Sequence, residues 1–322
     1  MQMTRVFSIA PSAPFLVTLA HALLDGTLVP GFAPRGDPLA LASATVYLPT
    51  RRAGRLFADA LLEASGADAM LLPRIVPLGD VDEDTLAFSE EAPLLAPPRA
   101  VSPVHRRIAL AALVERWRDA LAAGIGQAAV AAGPSATVAL ADELASLFDQ
   151  MMTAGVKWSR LESLALEEHD RFFELSLDFL RIARAAWLEH LDGLGLVEPA
   201  ERRDVLVHAE TTRLKRLGAA AGPVIAAGST GSLPATARLL AAIAGLPQGA
   251  VVLPGLDLDM EDDAFALLTE AGSGAPDHPQ YNLARLISTL GVSRGDVAEL
   301  GTRAIFGRER LLSEAMRQSE TT

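Results

Sequence analysis

A turn of small residues has the composition of a phosphate-binding loop. Gly228-Ser229-Thr230-Gly231-Ser232 follows an apolar run at residues 223–227 and precedes a helical pattern with Pro234 in its first turn. A helix N-terminus can bind an anion through its backbone N–H groups, so we predict Ser229 and Thr230 as contacts to a phosphate of bound DNA. The turn has no lysine, and its G-x-x-G spacing is a weak signal that is more typical of a plain tight turn than of a nucleotide site.

A second group of residues could hold a phosphodiester backbone. Thr50, Arg51 and Arg52 follow the apolar run at residues 45–48 and precede a helical pattern over residues 53–63. Parallel α/β sheets bind ligands at the carboxyl ends of their strands, and arginine and threonine side chains contact DNA phosphates. We therefore predict a DNA contact here; a helix start with solvated arginines is the alternative.

The first predicted turn lacks the residues of a nucleotide site. Ala10-Pro11-Ser12-Ala13-Pro14 joins a strand at residues 5–9 to a helix over residues 15–24, where a nucleotide-binding protein has G-x-x-x-x-G-K-[ST]. This turn has no glycine and no lysine, and its prolines provide no N–H groups to bind phosphate. We expect that it does not hold ATP, and no nucleophile motif elsewhere predicts a catalytic residue.

Two acidic clusters contain metal-ligating atoms. Asp257 stands at a strand end beside Asp259 and residues 261–263, but the spacing does not match an EF-hand loop. Residues 167–170 (Glu-Glu-His-Asp) fall between two helical patterns, where acidic side chains also serve as caps. A solvated acidic loop and a capped helix start explain the two clusters, so we predict neither a metal nor a cofactor.

Composition limits the classes of partner and compartment. The net charge of −12 over 322 residues argues against non-specific coating of nucleic acid, although a local basic groove remains compatible with it. The absence of cysteine excludes disulfides and thiolate-held metal sites from these residues. No apolar run is long enough to span a bilayer, so we expect a cytoplasmic protein without membrane contact.

The order of elements predicts an α/β fold with a helical insertion. Residues 222–257 read as strand, turn, helix and strand, which is a βαβ unit with parallel strands. Further strands are predicted at residues 5–9, 45–48 and 71–78, whereas helical periodicity fills residues 102–217. We divide the chain into residues 1–100, the first part of the α/β core; 101–220, a helical insertion; and 221–322, the rest of the core and the start of a next domain.

A series of stretches resembles one known protein family. In chain order they are SIAPSAPFLVTLAHAL, VYLPTRRAGRLFADAL, LLPRIVPLGD, AAGSTGSLPATARLLAAIA, GAVVLPGLD and HPQYNLARL. Together they are similar to the N-terminal part of AddB, the second subunit of bacterial AddAB helicase–nucleases, in its alphaproteobacterial form.

The resemblance implies a RecA-like core of the UvrD helicase type, interrupted by a helical subdomain and inactive as an ATPase. It implies an AddA helicase–nuclease partner, single-stranded DNA, and a role in resecting double-strand breaks for recombination. Thr50, Arg51 and Arg52 then correspond to an early DNA-contacting motif, and the 228–232 turn lies near the motif that couples nucleotide to DNA. The family's exonuclease motif and iron–sulfur cluster belong to a C-terminal region that these residues do not match, so we expect a fragment of a longer subunit.

Two other functions remain compatible with the sequence. A nucleotide-binding α/β enzyme would place its ligand at the 228–232 turn. A structural interaction module would bind a protein partner and no DNA.

Overall fold

The computed structural model describes residues 5–37, 39–78, 98–125, 133–162, 171–270, 275–303 and 307–317. The chain folds into two compact units, the first formed by residues 1–92 and 207–322 and the second by residues 93–206. The sequence predicts divisions after residues 100 and 220, whereas these units divide after residues 92 and 206. Each unit is described separately below.

A parallel sheet of six strands forms the centre of the first unit, in the order β3-β2-β6-β7-β1-β8, while β4 and β5 pair in the second unit. Every neighbouring pair is parallel, as the βαβ reading of residues 222–257 predicts for β6 and β7. The predicted α/β class is therefore confirmed. The strand bounds are β1 Val6–Ile9, β2 Thr45–Leu48, β3 Arg74–Pro77, β4 Arg99–Ala100, β5 Leu196–Val197, β6 Val224–Ala227, β7 Gly249–Pro254 and β8 Ala298–Leu300.

Helices cover both faces of this sheet. Those of the first unit are α1 Phe15–Leu24, α2 Arg51–Ser65, α8 Pro234–Ala244, α9 Asp262–Leu267, α10 Tyr281–Leu290 and α11 Arg308–Ala315. Those that begin in the second unit are α3 Pro103–Ile125, α4 Pro134–Ala154, α5 Trp158–Glu162, α6 Arg171–Leu194 and α7 Pro199–Leu217, the last of which ends in the first unit. Among the described residues, no helix combines the length and the apolar character that crossing a membrane requires.

The side chains of each central strand alternate between two cores, one on each face of the sheet. On β2, Val46 and Leu48 join the core under α1 and α2, whereas Tyr47 joins the core under α8 and α10. On β6, Ile225 joins the core under α1 and α2, and Val224 joins the core under α8 and α10. Burial on both faces explains why these strands are continuous apolar runs in the sequence.

At two places in the sheet, the connections that follow adjacent strands lead to helices on opposite faces. From β1 to β2 and on to β3 the chain moves toward one edge, with α1 and α2 on one face. From β6 to β7 and on to β8 it moves toward the other edge, with α8 to α10 on the opposite face, as right-handed crossovers require. Neighbouring connections therefore diverge between β2 and β6 and between β7 and β1. Such divergence opens a crevice at the carboxyl ends of the strands, where α/β proteins bind ligands.

The second unit is a helical body with a buried ionic network. Arg106, 8% exposed, binds the Asp149 carboxylate through two hydrogen bonds of 2.8 and 2.9 Å, and its Nε lies 3.0 Å from Glu198. Trp187 donates its indole N–H to the same Glu198 carboxylate at 2.5 Å. Burial raises the pKa of Glu198 despite these partners. The network joins α3, α4, α6 and the start of α7.

A second buried network fixes α7 to the central sheet within the first unit. Tyr47 of β2 donates its hydroxyl to Glu210 of α7, and Arg213 binds the same carboxylate through two hydrogen bonds of 2.7 Å. Burial alone would raise the pKa of Glu210, but the hydrogen bonds from Arg213 and Tyr47 outweigh it and lower the pKa. Charged Glu210 therefore stabilises the fold above its ordinary pKa, and this stabilisation is lost as the pH falls through the lowered value.

We predict that Glu210→Gln lowers the unfolding free energy at pH 7 by about 1–3 kcal/mol, because Arg213 loses its charged partner. The difference from wild type narrows as the pH falls below about 4.3, the ordinary glutamate pKa, because the unfolded chain and then the folded protein take up a proton at this carboxylate. Urea unfolding followed by circular dichroism at pH 7, 5 and 3, which lie on both sides of the ordinary glutamate pKa of about 4.3, measures both effects. Glu63→Gln, at an exposed position of α2, is the control and changes little; a constant Glu210→Gln deficit at every pH would contradict the assignment.

Candidate functional site

The two predicted DNA-contacting segments flank one crevice of the sheet. Because β2 and β6 pair as neighbours, the Pro49-Thr50 turn and the 228–232 turn leave the same edge side by side. They approach closely, since a Cβ at Gly228 would lie 3.4 Å from Pro49. We call the space between these turns the β2–β6 crevice. The structure therefore brings together residues that the sequence separates widely.

Thr50 has a structural role at this crevice. It is the N-cap of α2, where its hydroxyl accepts a hydrogen bond from the Ala53 N–H at 3.1 Å. The cap fixes where α2 begins and so places Arg51 and Arg52 in its first turn, at the mouth of the crevice. A bound phosphate would meet the arginines first, because the Thr50 hydroxyl already has a partner.

Arg51 and Arg52 carry the wrong charge for their place in the helix. They are the first two residues of α2 and are exposed, and the first turn contains no acidic residue. The positive end of a helix dipole favours acidic side chains, and a basic residue there costs roughly 0.3–1 kcal/mol. An anion bound at this helix start would interact favourably with both the arginines and the dipole.

The 228–232 turn is held by its own backbone and by packing. Gly228 and Gly231 have φ angles of 78° and 62°, in the region that favours glycine. The Ser229 hydroxyl accepts a hydrogen bond from the Gly231 N–H at 3.2 Å, and Thr230 is half-buried. Leu233 is the N-cap of α8, so no side-chain oxygen caps this helix, and its first residue, Pro234, has no N–H.

The other crevice, between β1 and β7, carries a carboxylate. Ser12, in the turn where a nucleotide-binding protein has its phosphate loop, donates a hydrogen bond to Glu309 of α11. This hydrogen bond lowers the pKa of Glu309 and favours its charged form. A negative side chain beside the start of α1 repels phosphate, which adds to the missing lysine and the prolines as a reason against ATP at this position.

The acidic loop after β7 is occupied by local contacts. The Asp257 carboxylate accepts hydrogen bonds from the N–H groups of Asp259 and Met260, both at 2.9 Å. Asp259 itself is paired with Arg303 at 2.6 Å. Among the described residues no group of three side chains is placed to hold a metal ion. The other acidic candidate, at residues 167–170, lies outside the described residues.

The carboxyl edge of the sheet is therefore divided by charge. Exposed arginines border the β2–β6 crevice, and carboxylates surround the crevice between β1 and β7. A polyanion is attracted to the first and repelled by the second. This division makes the β2–β6 crevice the candidate site.

Sequence reasoning missed the charged residues beyond the 228–232 turn. Arg238 of α8 and Arg285 of α10 line a cavity that begins at Gly231 and Ser232. Arg238 is exposed between the buried Ala237 and Leu239. The helical pattern of residues 234–244 alone would have predicted that it faces away from the core. The contribution of Arg285 needs the tertiary packing of α10 beside α8, which no local pattern shows.

The tight approach of Gly231 to α10 gives a test of the turn. A Cβ at Gly231 would lie 2.7 Å from Cδ1 of Leu286, which is 1% exposed. Gly66, the C-cap of α2, has a similar φ of 67° but nothing within 4 Å of its Cβ position. Both glycines lose the same backbone freedom on substitution, so a comparison of the two isolates the contact with Leu286.

We predict that Gly66→Ala lowers the unfolding free energy by about 1–2 kcal/mol through backbone strain alone. Gly231→Ala lowers it by that amount and by roughly 1–3 kcal/mol more, because the buried Leu286 side chain must be displaced. Urea unfolding at pH 7 measures both variants. Equal losses would show that the 228–232 turn is not packed against α10 as described.

Comparisons with known proteins add no family assignment. No protein-family model matches the chain, and no curated protein matches it either. The similarity to AddB subunits accordingly depends on the sequence stretches quoted above, and the candidate site depends on its geometry and charge.

Proposed function

We propose that this chain is an ATPase-inactive, helicase-like scaffold that guides single-stranded DNA along the carboxyl edge of its sheet. In this proposal the chain is the N-terminal part of an AddB-type subunit. It works with an AddA-type helicase–nuclease in resecting double-strand breaks for recombination. The observation that carries the proposal is the exposed pair Arg51 and Arg52 at the β2–β6 crevice.

The charge of the whole protein makes this pair informative. A net charge of −12 opposes general attraction of nucleic acid, so we expect any DNA contact to be local. Two adjacent arginines at a helix N-terminus provide bidentate donors for phosphate oxygens and a favourable dipole. Such a site binds the backbone of a strand and does not require a particular base.

The finer fold assignment belongs to the same proposal. The six-stranded parallel sheet with helices on both faces supports a RecA-like core. The second unit, residues 93–206, stands between β3 and β6 in the chain, and its described part is mainly helical, which fits the helical subdomain of UvrD-type helicases. The hydrogen bond between Ser12 and Glu309 supports the loss of ATPase activity, because it puts a carboxylate at the loop where phosphates would bind.

We predict that Arg51→Glu/Arg52→Glu weakens binding of a fluorescein-labelled oligo-dT by about tenfold or more, since charge-assisted hydrogen bonds contribute about 1.5–3 kcal/mol each. Loss of two phosphate contacts also reduces the dependence of log K on log salt by about 1.4. Fluorescence anisotropy measured between about 50 and 200 mM NaCl gives both the affinity and its dependence on salt.

The control for this experiment is Arg308→Glu/Arg310→Glu. It makes the same charge change at two exposed positions of α11, beside the acidic crevice. We expect the affinity to stay within about twofold of wild type, because salt screens charges that do not touch the DNA. If both double variants weaken binding equally, DNA responds only to net charge. If neither does, the chain does not guide DNA through this crevice, and a structural role with a protein partner is the better account.

A further inference from the structure

A cavity of about 170 Å³ extends from the 228–232 turn on the α8 side of the sheet. Gly231 and Ser232 form one wall, α8 contributes Arg238, and α10 contributes Asn282 and Arg285. Its volume is several times the roughly 30 Å³ that a water molecule occupies in the liquid, which leaves room for an anion larger than water. The sequence motifs quoted above do not account for this cavity.

The two arginines of this cavity form no salt bridge with another described residue. Within the described residues, Arg238 and Arg285 have no carboxylate partner, although both line the same small space. Elsewhere in this unit Arg294 is paired with Asp262, and Arg303 with Asp259 and Glu299. Two like charges that share a cavity repel each other, and an anion bound between them removes this cost.

The remaining groups of the cavity suit a nucleotide strand. The Arg285 guanidinium carbon lies 5.6 Å from the Tyr281 ring centroid, so the ring supports the cation from one side. The Asn282 side chain offers both a donor and an acceptor to the cavity.

We propose that this cavity is a second phosphate subsite, in which Arg238 and Arg285 hold a backbone phosphate of the strand that Arg51 and Arg52 bind first. The inference rests on the proposed function and deepens it by naming the path. The strand enters at the β2–β6 crevice, passes the 228–232 turn and continues on the α8 side of the sheet. On this path the 228–232 turn lies between the two arginine pairs.

The test is the affinity of the full chain for oligo-dT of increasing length, from roughly 4 to 16 nucleotides, the usual range of single-strand site sizes. Wild-type affinity rises until an oligonucleotide reaches both arginine pairs. In Arg238→Glu/Arg285→Glu the affinity for the shortest bound oligonucleotide stays within about twofold of wild type. Its affinity for the longer ones falls by about tenfold, because only they reach the second subsite.

Two comparisons keep this test specific. Arg238→Lys/Arg285→Lys keeps both charges and retains most of the gain with length, whereas Arg308→Glu/Arg310→Glu behaves as wild type at every length. Thermal unfolding by circular dichroism checks that each variant is folded. If the affinity of Arg238→Glu/Arg285→Glu rises with oligonucleotide length in the same way as that of wild type, the proposal of a second subsite is wrong.

The outcomes separate this inference from the proposed function. If Arg51→Glu/Arg52→Glu loses DNA while Arg238→Glu/Arg285→Glu binds every length normally, the function stands and the second subsite fails. If wild type binds no oligonucleotide, both fail. A last experiment titrates the chain with ATP alone. If Arg238→Glu/Arg285→Glu loses ATP binding while its oligo-dT binding is unchanged, the cavity is a nucleotide site and the proposed DNA path is wrong.

Discussion

The pairing of β2 with β6 is the contact on which the rest of the structure depends. It joins Val46 to Ile225 across a long stretch of intervening chain, and the Tyr47–Glu210 hydrogen bond supports it on one face of the sheet. Because the chain leaves these two strands toward opposite faces, their pairing opens a crevice at the carboxyl edge. The candidate site is a consequence of this topology and needs no unusual residue to create it.

The charged side chains beside each crevice of the carboxyl edge determine which ligands that crevice attracts. The β2–β6 crevice is bordered by arginines at a helix start, and the crevice between β1 and β7 carries Glu309 on the turn that would otherwise bind phosphate. In the function that we propose, one α/β sheet holds a polyanion at one crevice and repels phosphate at the other. A scaffold that guides a strand without hydrolysing ATP requires this combination.

The sequence predicted the interior of the fold better than its edges. Buried strands such as β6 and β7 are continuous apolar runs between glycines, so their position and parallel pairing were predictable. By contrast, β8 contains the exposed Glu299 and presents no apolar run, and it was missed. The predicted strand at 71–78 is shorter in the structure, Arg74–Pro77, because Pro73 has no N–H for the ladder.

The site was predictable in its parts and not in its assembly. The residues that follow β2 and β6 were identified from strand ends and glycines, but the pairing that makes them neighbours is a long-range contact that no local pattern encodes. The same holds for Arg285 beside Arg238 and for Glu309 on Ser12. Photo-crosslinking of an oligonucleotide that carries 4-thiothymidine, mapped by mass spectrometry, tests the central claim most directly. The account predicts crosslinks at residues 49–52 and 228–233; crosslinks confined to the 10–14 turn or to the helices of residues 93–206 would contradict it.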